Sequence, residues 1–208
     1  MQIIDIKGNN NVYSSNVYMI LGEWKKMTDV STLIDVGSDP SIISVINKIN
    51  TGVGKKKVDQ VILTHNHSDH MSILPLIIQE YHPVVYAYSP FLAGVTKVLK
   101  DGETLLIGDE YFEVIHTPGH SSDSISLYNA SHEILFVGDT SVIVRAMDSG
   151  AYEEDYVDAL KRLCRKQVKT IYFGHGDPVI GHGQSLLIES LKNIQKSISK
   201  EAKSVQQH

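Results

Sequence analysis

Short runs of apolar residues, rich in Val, Ile and Tyr, follow one another through the first third of the chain, with Gly and Asn between them. Runs of this composition bounded by turn residues predict β-strands. The expected strands cover residues 2–7, 12–21 and 30–36. Apolar residues then recur at helical spacing, which predicts a helix over residues 40–50 with Ser38 or Asp39 capping its start.

Strands predominate in the middle of the chain, and helices lie between them and at the end. Further strands are expected at residues 58–63, 84–88, 104–107, 111–116, 124–128, 134–137 and 170–173. Further helices are expected at residues 72–80, at 153–166 and from 184 onward. Two packed sheets flanked by helices satisfy this order of elements, although the order alone also fits other mixed folds.

The composition is that of a globular protein. The chain has 208 residues, of which 42% are hydrophobic and 21% charged, enough to bury an apolar core as a single domain over residues 1–208. Cys164 is the only cysteine, so no intrachain disulfide can form, and its place in a helical apolar stripe predicts a core residue. The charged N-terminal segment predicts no signal peptide. These features together predict a cytoplasmic protein.

Charge and hydropathy narrow the range of partners. The formal net charge is −5 and the chain has no dense run of Lys or Arg, which argues against nucleic acid. The short basic segment 55–57 is most simply a solvated loop. No apolar run approaches the roughly 20 residues that cross a bilayer, so no membrane partner is expected. A small-molecule substrate is the expected partner, and the oligomeric state is left open.

Four potential metal ligands fall within six consecutive residues just after the strand expected at 58–63: His65, His67, Asp69 and His70. Imidazole nitrogens and carboxylate oxygens are ligands for Zn²⁺ and for non-haem iron, and catalytic sites keep one coordination position open. A polar surface loop is the alternative interpretation of such a segment. The density of donor side chains favours a metal site.

Three further candidate ligands occur at one repeated kind of position. His120, Asp139 and His175 each follow an apolar strand and stand directly after a glycine, which permits a sharp turn or a close backbone approach. A single histidine of this kind is more often structural. Because the strand ends can meet at one edge of the sheets, all seven side chains are expected to converge on one site.

These motifs resemble those of the metallo-β-lactamase superfamily over about residues 12–180. The resemblance rests on segments 64–70, 117–120, 136–140 and 173–176. It implies an α+β fold, a four-layer αββα sandwich, with two divalent metal ions at one edge; zinc is favoured, and iron or manganese also suits the donors. It further implies one ion held by His65, His67 and His120 and another held by Asp69, His70 and His175, with Asp139 bridging both.

Several positions depart from particular branches of this superfamily. Its antibiotic-hydrolysing members usually carry cysteine where Asp139 stands, which disfavours lactam hydrolysis. The glyoxalase-II-like branch often has Thr and Gly where this chain has Ser121 and Asp123, and the extra domain that holds glutathione is missing. Related lactonases often carry tyrosine where Val142 stands, which disfavours lactones.

The resemblance implies hydrolysis of a small ester, thioester or related acyl substrate by hydroxide generated at the binuclear site. Asp69 is expected to orient the nucleophile or carry a proton to the leaving group. Arg145 and Tyr152, which flank the segment after Asp139, are predicted substrate contacts. The alternative is an iron-dependent oxidoreductase similar to persulfide dioxygenases, whose single iron would leave His70 and His175 without a role.

Overall fold

Two six-stranded β-sheets lie at the centre of the computed structural model, which describes residues 1–9, 11–145 and 152–205. The first sheet has its strands in sequence order: β1 (Gln2–Ile6), β2 (Val17–Leu21), β3 (Thr32–Ile34), β4 (Gln60–Ile62), β5 (Val84–Ala87) and β6 (Lys97–Val98). The second sheet is likewise sequential: β7 (Thr104–Ile107), β8 (Glu110–His116), β9 (Ile125–Asn129), β10 (Ile134–Phe136), β11 (Thr170–Tyr172) and β12 (Val179–Ile180).

Helices cover the outer faces of both sheets. The described helices are α1 (Ile42–Lys48), α2 (Ser68–Met71), α3 (Leu74–Tyr81), α4 (Glu154–Cys164) and α5 (Gly183–Val205). Apolar side chains of α1 and α3 pack on the first sheet, and those of α4 and α5 pack on the second. A third apolar cluster, with Tyr18, Ile62 and Phe136 among its members, lies between the sheets. The layers therefore run helix, sheet, sheet, helix, which confirms the predicted αββα sandwich.

Strand β2 shows why several of the predicted strands are continuously apolar and do not alternate between apolar and polar residues. Its five residues are all buried. Because successive side chains of a strand point to opposite faces, Tyr18 and Ile20 enter the cluster between the sheets, while Val17, Met19 and Leu21 pack toward the helices. A strand covered on both faces reads as one continuous apolar run.

The predicted strand over residues 12–21 is too long at its start. Residues 12–16 form a loop, and β2 begins at Val17. Ser15 donates its backbone N–H to the carbonyl of Asp69 at 3.0 Å, and Asn16 donates to the carbonyl of Gly174 at 2.6 Å. Residues 15 and 16 therefore do not pair with a neighbouring strand, because their backbone N–H groups bind carbonyls of two other loops.

Other boundaries differ in smaller ways. The helix expected over residues 72–80 corresponds to α3, while the short helix α2 was not predicted. The helix expected over 40–50 is shorter at both ends. Its N-cap is Ser41, whose backbone N–H donates to Asp39 at 2.9 Å. The two-residue strands β6 and β12 were not predicted. Among the described residues, no helix combines the length and apolar character needed to cross a membrane.

Candidate metal centre

The candidate ligands lie on loops that leave the two sheets at one shared edge. In the first sheet, β3, β4 and β5 are parallel, so their C-terminal ends meet, and residues 64–70 follow β4 directly. In the second sheet, β10 and β11 are parallel and lead into Asp139 and His175. His120 follows β8. Because β9 is antiparallel to both β8 and β10, β8 ends at the same edge as β10, and four separate segments meet there.

All seven predicted metal-site residues come together there, in two groups. Within each group the donor atoms lie within 4.8 Å of one another. The first group consists of His65, His67 and His120, and the second of Asp69, His70, Asp139 and His175. The structure therefore brings the seven side chains close together, and their division between two ions stays a prediction.

Asp139 faces both groups with its two carboxylate oxygens. Oδ1 lies 3.3 Å from Nε2 of His70. Oδ2 lies 3.6 Å from Nε2 of His120 and 3.5 Å from Nε2 of His175. One carboxylate therefore reaches a histidine of the first group and two histidines of the second, as a bridging ligand would.

The positions of several polar atoms in this cluster suit coordination of a cation better than hydrogen bonding to one another. The buried Nε2 atoms of His65 and His70 have no hydrogen-bond partner among the described residues, a costly arrangement for a buried polar atom. Nδ1 of His67 and Nε2 of His120 lie 2.8 Å apart, and the rings of His65 and His70 are centred 4.1 Å apart. Divalent metal ions take such imidazole and carboxylate donors, so these residues fit bound metal.

Asp35 supports this cluster from behind, and the sequence pattern did not single it out. Its Oδ2 lies 2.7 Å from Nδ1 of His70, and it accepts hydrogen bonds of 2.8 Å from the backbone N–H and the hydroxyl of Thr64. A proton on Nδ1 that is donated to Asp35 leaves the Nε2 lone pair of His70 facing Asp69 and Asp139. Asp35 directly follows β3, but the strand expected over residues 30–36 includes it, so its place at a strand end was not recognised.

Burial and neighbouring charges shift the pKa values of His65 and His70 in opposite directions. Burial by itself opposes protonation of His70, but the carboxylates of Asp35 and Asp139 outweigh it and raise the pKa of His70 to about 10. Burial, with the nearby His70, lowers the pKa of His65 to about 4. Burial disfavours ionised Asp139, yet its contact with His70 holds its pKa below the usual value.

Two glycines allow the loops to approach this closely. Gly138 has a φ of +52° and lies against Thr64, whose Cβ would be 2.8 Å from any Cβ added at Gly138. A Cβ at Gly174 would overlap Oδ1 of Asp139 and lie 2.6 Å from Cε1 of His70. The glycine before each of these two candidate ligands is therefore required for space.

A cleft of about 260 Å³ opens beside the second group of donors. Its polar side is formed by His120, Asp139 and His175, and its apolar side includes Ile143 and Phe173. The exposed ring of Tyr13 stacks on the imidazole of His175, with centroids 5.3 Å apart. The donor groups therefore face an accessible space that is large enough for a small acyl group.

The two predicted substrate contacts, Arg145 and Tyr152, lie outside the lining of the cleft at the metal centre. Arg145 is exposed and lines a second cavity, of about 220 Å³, together with Glu189 and Asn193. Tyr152 packs beside Tyr156 with ring centroids 6.1 Å apart. The segment between them, residues 146–151, lies outside the described residues. Neither side chain is among those that line the cleft at the metal centre.

Known proteins share both the sequence pattern and the architecture of this chain. The sequence model of one protein family, the Metallo-beta-lactamase superfamily, matches residues 10–175. A probable hydroxyacylglutathione hydrolase of Schizosaccharomyces pombe is 32% identical over 158 residues, which cover 72% of this chain and 58% of the relative. The hydroxyacylglutathione hydrolase of Idiomarina loihiensis is 37% identical over 86 residues, covering 41% and 33%. The chain thus matches between a third and three fifths of the length of these relatives.

Solved structures agree on the fold. An archaeal metallo-beta-lactamase superfamily protein from Sulfolobus tokodaii superposes with a TM-score of 0.65 at 22% identity, over 93% of this chain and 86% of the other. ETHE1 from Myxococcus xanthus gives a TM-score of 0.66 at 20% identity, over 93% and 91%. At such identities the likeness concerns the fold alone. Because the family model matches well over half of its residues, the chain belongs to the metallo-beta-lactamase superfamily.

Proposed function

We propose that the chain is a metal-dependent hydrolase of small acyl compounds, with thioesters and esters as its substrate class. The observation that carries this proposal is the convergence of seven donors into two groups that share Asp139. One divalent ion would be held by His65, His67 and His120, and the other by Asp69, His70 and His175, with Asp139 between them. Zinc is the metal we propose first, and iron and manganese accept the same donors.

Two divalent ions at such a site supply hydroxide at neutral pH and positive charge for the oxyanion that develops during acyl transfer. We assign the proton-handling role to Asp69. Its Oδ2 lies 3.0 Å from Nε2 of His175 and 3.8 Å from Nε2 of His70, so it is fixed at the second group. We assign to its other oxygen the task of orienting the nucleophile or carrying a proton to the leaving group.

The walls of the cleft support a small acyl substrate. Ile143 and Phe173 offer apolar surface to the acyl chain, next to the polar side that contains Asp139 and His175. The curated relatives named above are hydroxyacylglutathione hydrolases, which are thioester hydrolases. Thioesters are therefore the first class to test. Arg145 and Tyr152 stay predicted substrate contacts, for parts of the substrate that extend beyond the cleft.

Iron-dependent oxidation, the rival reaction, needs fewer donors than this site offers. A single iron held by two histidines and one aspartate would leave His70 and His175 without a role. Both side chains nevertheless face Asp139, at 3.3 and 3.5 Å, and His70 is held from behind by Asp35. A second group organised to this extent favours two ions and hydrolysis.

A combined metal and substrate panel tests the proposal. Protein loaded with zinc or manganese should contain about two ions per chain and should hydrolyse a lactoyl thioester of glutathione or p-nitrophenyl acetate. Iron-loaded protein should consume no oxygen with glutathione persulfide. One ion per chain would remove the binuclear assignment, and iron-dependent oxygen uptake would move the protein to the oxidoreductases.

A substitution of Asp139 distinguishes a role in the metal centre from a role in the stability of the fold. Asp139→Ala should lower the metal content and reduce turnover at least about a hundred-fold, because the two cations would lose the negative charge that lies between them. Its circular dichroism spectrum should stay close to that of the wild type, because the apolar clusters are unaffected. Asp158→Ala, on the exposed face of α4, is the matched control. Full activity in Asp139→Ala would contradict the assigned site.

A further inference from the structure

Three large apolar side chains are exposed on two loops of the first sheet. Loop 22–29 is part of the connection from β2 to β3 and carries Trp24, which is 75% exposed, and Met27, which is 73% exposed. Loop 50–57 precedes β4 and carries Val53, which is 100% exposed, between two glycines. Exposed apolar residues are common singly, but a group of them marks a contact surface.

The two loops lie side by side. Nζ of Lys55 donates hydrogen bonds of 2.6 Å to the backbone carbonyls of Lys26 and Asp29. The backbone at Gly52 also approaches Lys25, since an added Cβ would lie 3.0 Å from the Lys25 carbonyl oxygen. The apolar residues of both loops therefore belong to one surface, which we call the lysine–tryptophan patch (residues 22–29 and 50–57).

The charge of this patch is opposite to that of the whole chain. It contains five lysines: Lys25, Lys26, Lys55, Lys56 and Lys57. Lys26 and Lys56 are exposed, while Nζ of Lys55 and Nζ of Lys57 donate to backbone carbonyls of the chain. Its acidic residues are Glu23, which lies 3.8 Å from the N-terminal amine, and Asp29, which is buried. The formal net charge of the protein is −5, so any attraction to an anionic partner must be local to this patch.

The patch is at the far end of the sheet from the metal centre. Strands β3 and β4 begin next to the patch, at Thr32 and Gln60, and run in parallel to the edge that holds the donors. A partner bound at the patch would therefore leave the catalytic cleft open to solvent. The patch has no part in the proposed chemistry and needs a separate explanation.

We propose that the lysine–tryptophan patch binds the surface of an anionic lipid membrane. Clustered lysines are attracted to anionic headgroups, and Trp is favoured at the level of the headgroups because its ring is apolar and its N–H is polar. Val53 is fully exposed, so its apolar side chain is available to enter a lipid interface.

Surface attachment needs no membrane-spanning segment, so the proposal revises the expectation of no membrane partner. That expectation rested on the absence of a long apolar run. The basic segment 55–57, taken alone, was interpreted as a solvated loop. The fold changes this interpretation because it places Trp24, Met27 and two further lysines beside that segment.

Trp24 provides a direct measurement because it is the only tryptophan in the chain. The intact protein is mixed with vesicles of phosphatidylcholine alone and with vesicles that also contain phosphatidylglycerol. We expect a blue shift of Trp24 emission and co-sedimentation only with the anionic vesicles, both weakened by salt. Unchanged emission with protein left in the supernatant would overturn the proposal.

Variants identify the surface involved. Lys26→Gln and Lys56→Gln should each lower partitioning onto anionic vesicles about five-fold, and Val53→Asp should remove it. The controls are Lys192→Gln, an exposed lysine on α5, and Phe91→Ser, an aromatic residue that is 92% exposed and follows β5 near the metal edge. Equal losses in the control variants, or binding to polyglutamate without binding to vesicles, would contradict the assignment.

Discussion

Asp35 contacts both ends of segment 64–70 of the metal centre through one buried carboxylate. It accepts hydrogen bonds from the backbone and the side chain of Thr64 and contacts Nδ1 of His70. Its backbone has a φ of +55°, a conformation that Asp and Asn tolerate better than most residues. The orientation of His70 therefore depends on a residue that does not face the cleft.

Replacing Asp35 by Asn should weaken metal binding while preserving the fold. The amide keeps an acceptor for Thr64 and tolerates the left-handed backbone, but it removes the negative charge beside His70. Loss of such a supporting carboxylate typically lowers metal affinity about 10- to 100-fold. Competition with a chromogenic chelator measures the affinity of Asp35→Asn against that of Asp59→Asn, whose carboxylate binds Ser31 at the opposite end of the sheet. Equal affinity in both variants would show that Asp35 does not tune the site.

At the scale of elements, apolar composition predicted most strands, and the donor motifs predicted which side chains meet. The errors have physical reasons. Residues 12–16 have strand-like composition but satisfy their polar groups with the loops of Asp69 and Gly174, which no local pattern reveals. Strands β6 and β12 have two residues each, too few for a periodic signal. Asp35 was missed because its partners, Thr64 and His70, are distant in sequence.

A substitution at Gly174, between β11 and His175, tests how closely the loops that carry His175, Asp139 and His70 must approach one another. Gly174→Ala should lower metal content and reduce turnover more than ten-fold, because the added methyl would occupy space held by Asp139 and His70. Gly176→Ala is the control: its φ is +81°, and an added Cβ would meet no atom of the described chain within 4 Å. The control should lose only about 1 kcal/mol of unfolding free energy and keep its metal. Normal metal content in Gly174→Ala would show that the loops can separate without loss of function.

At the scale of the whole molecule, three apolar clusters hold the four layers together. One lies between the sheets, and one lies under each layer of helices. The metal centre is at the edge of this arrangement, and none of its seven candidate ligands contributes to an apolar cluster. A protein of this length with buried sheets does not need a metal ion in order to fold.

Chelation should therefore lower the thermal stability without unfolding the protein. A ligand present at about 100 times its Kd stabilises the native state by about 2.7 kcal/mol. For a chain of this size that corresponds to a change in Tm of about 5 to 11 °C. Thermal melts before and after treatment with EDTA, followed by circular dichroism, measure the difference. A random-coil spectrum in EDTA would mean that the metal is a structural requirement.

The order of the strands also divides the chain into two consecutive halves, each with one sheet. The first sheet, with β1 to β6, is complete before the second begins at β7. The candidate ligands are divided in the same way: residues 65–70 supply four, and His120, Asp139 and His175 supply three. A cut between β6 and β7 would give two fragments, each with one whole sheet and an incomplete donor set. Their reassembly would be promoted by divalent metal, so the split protein would act as a metal-responsive switch.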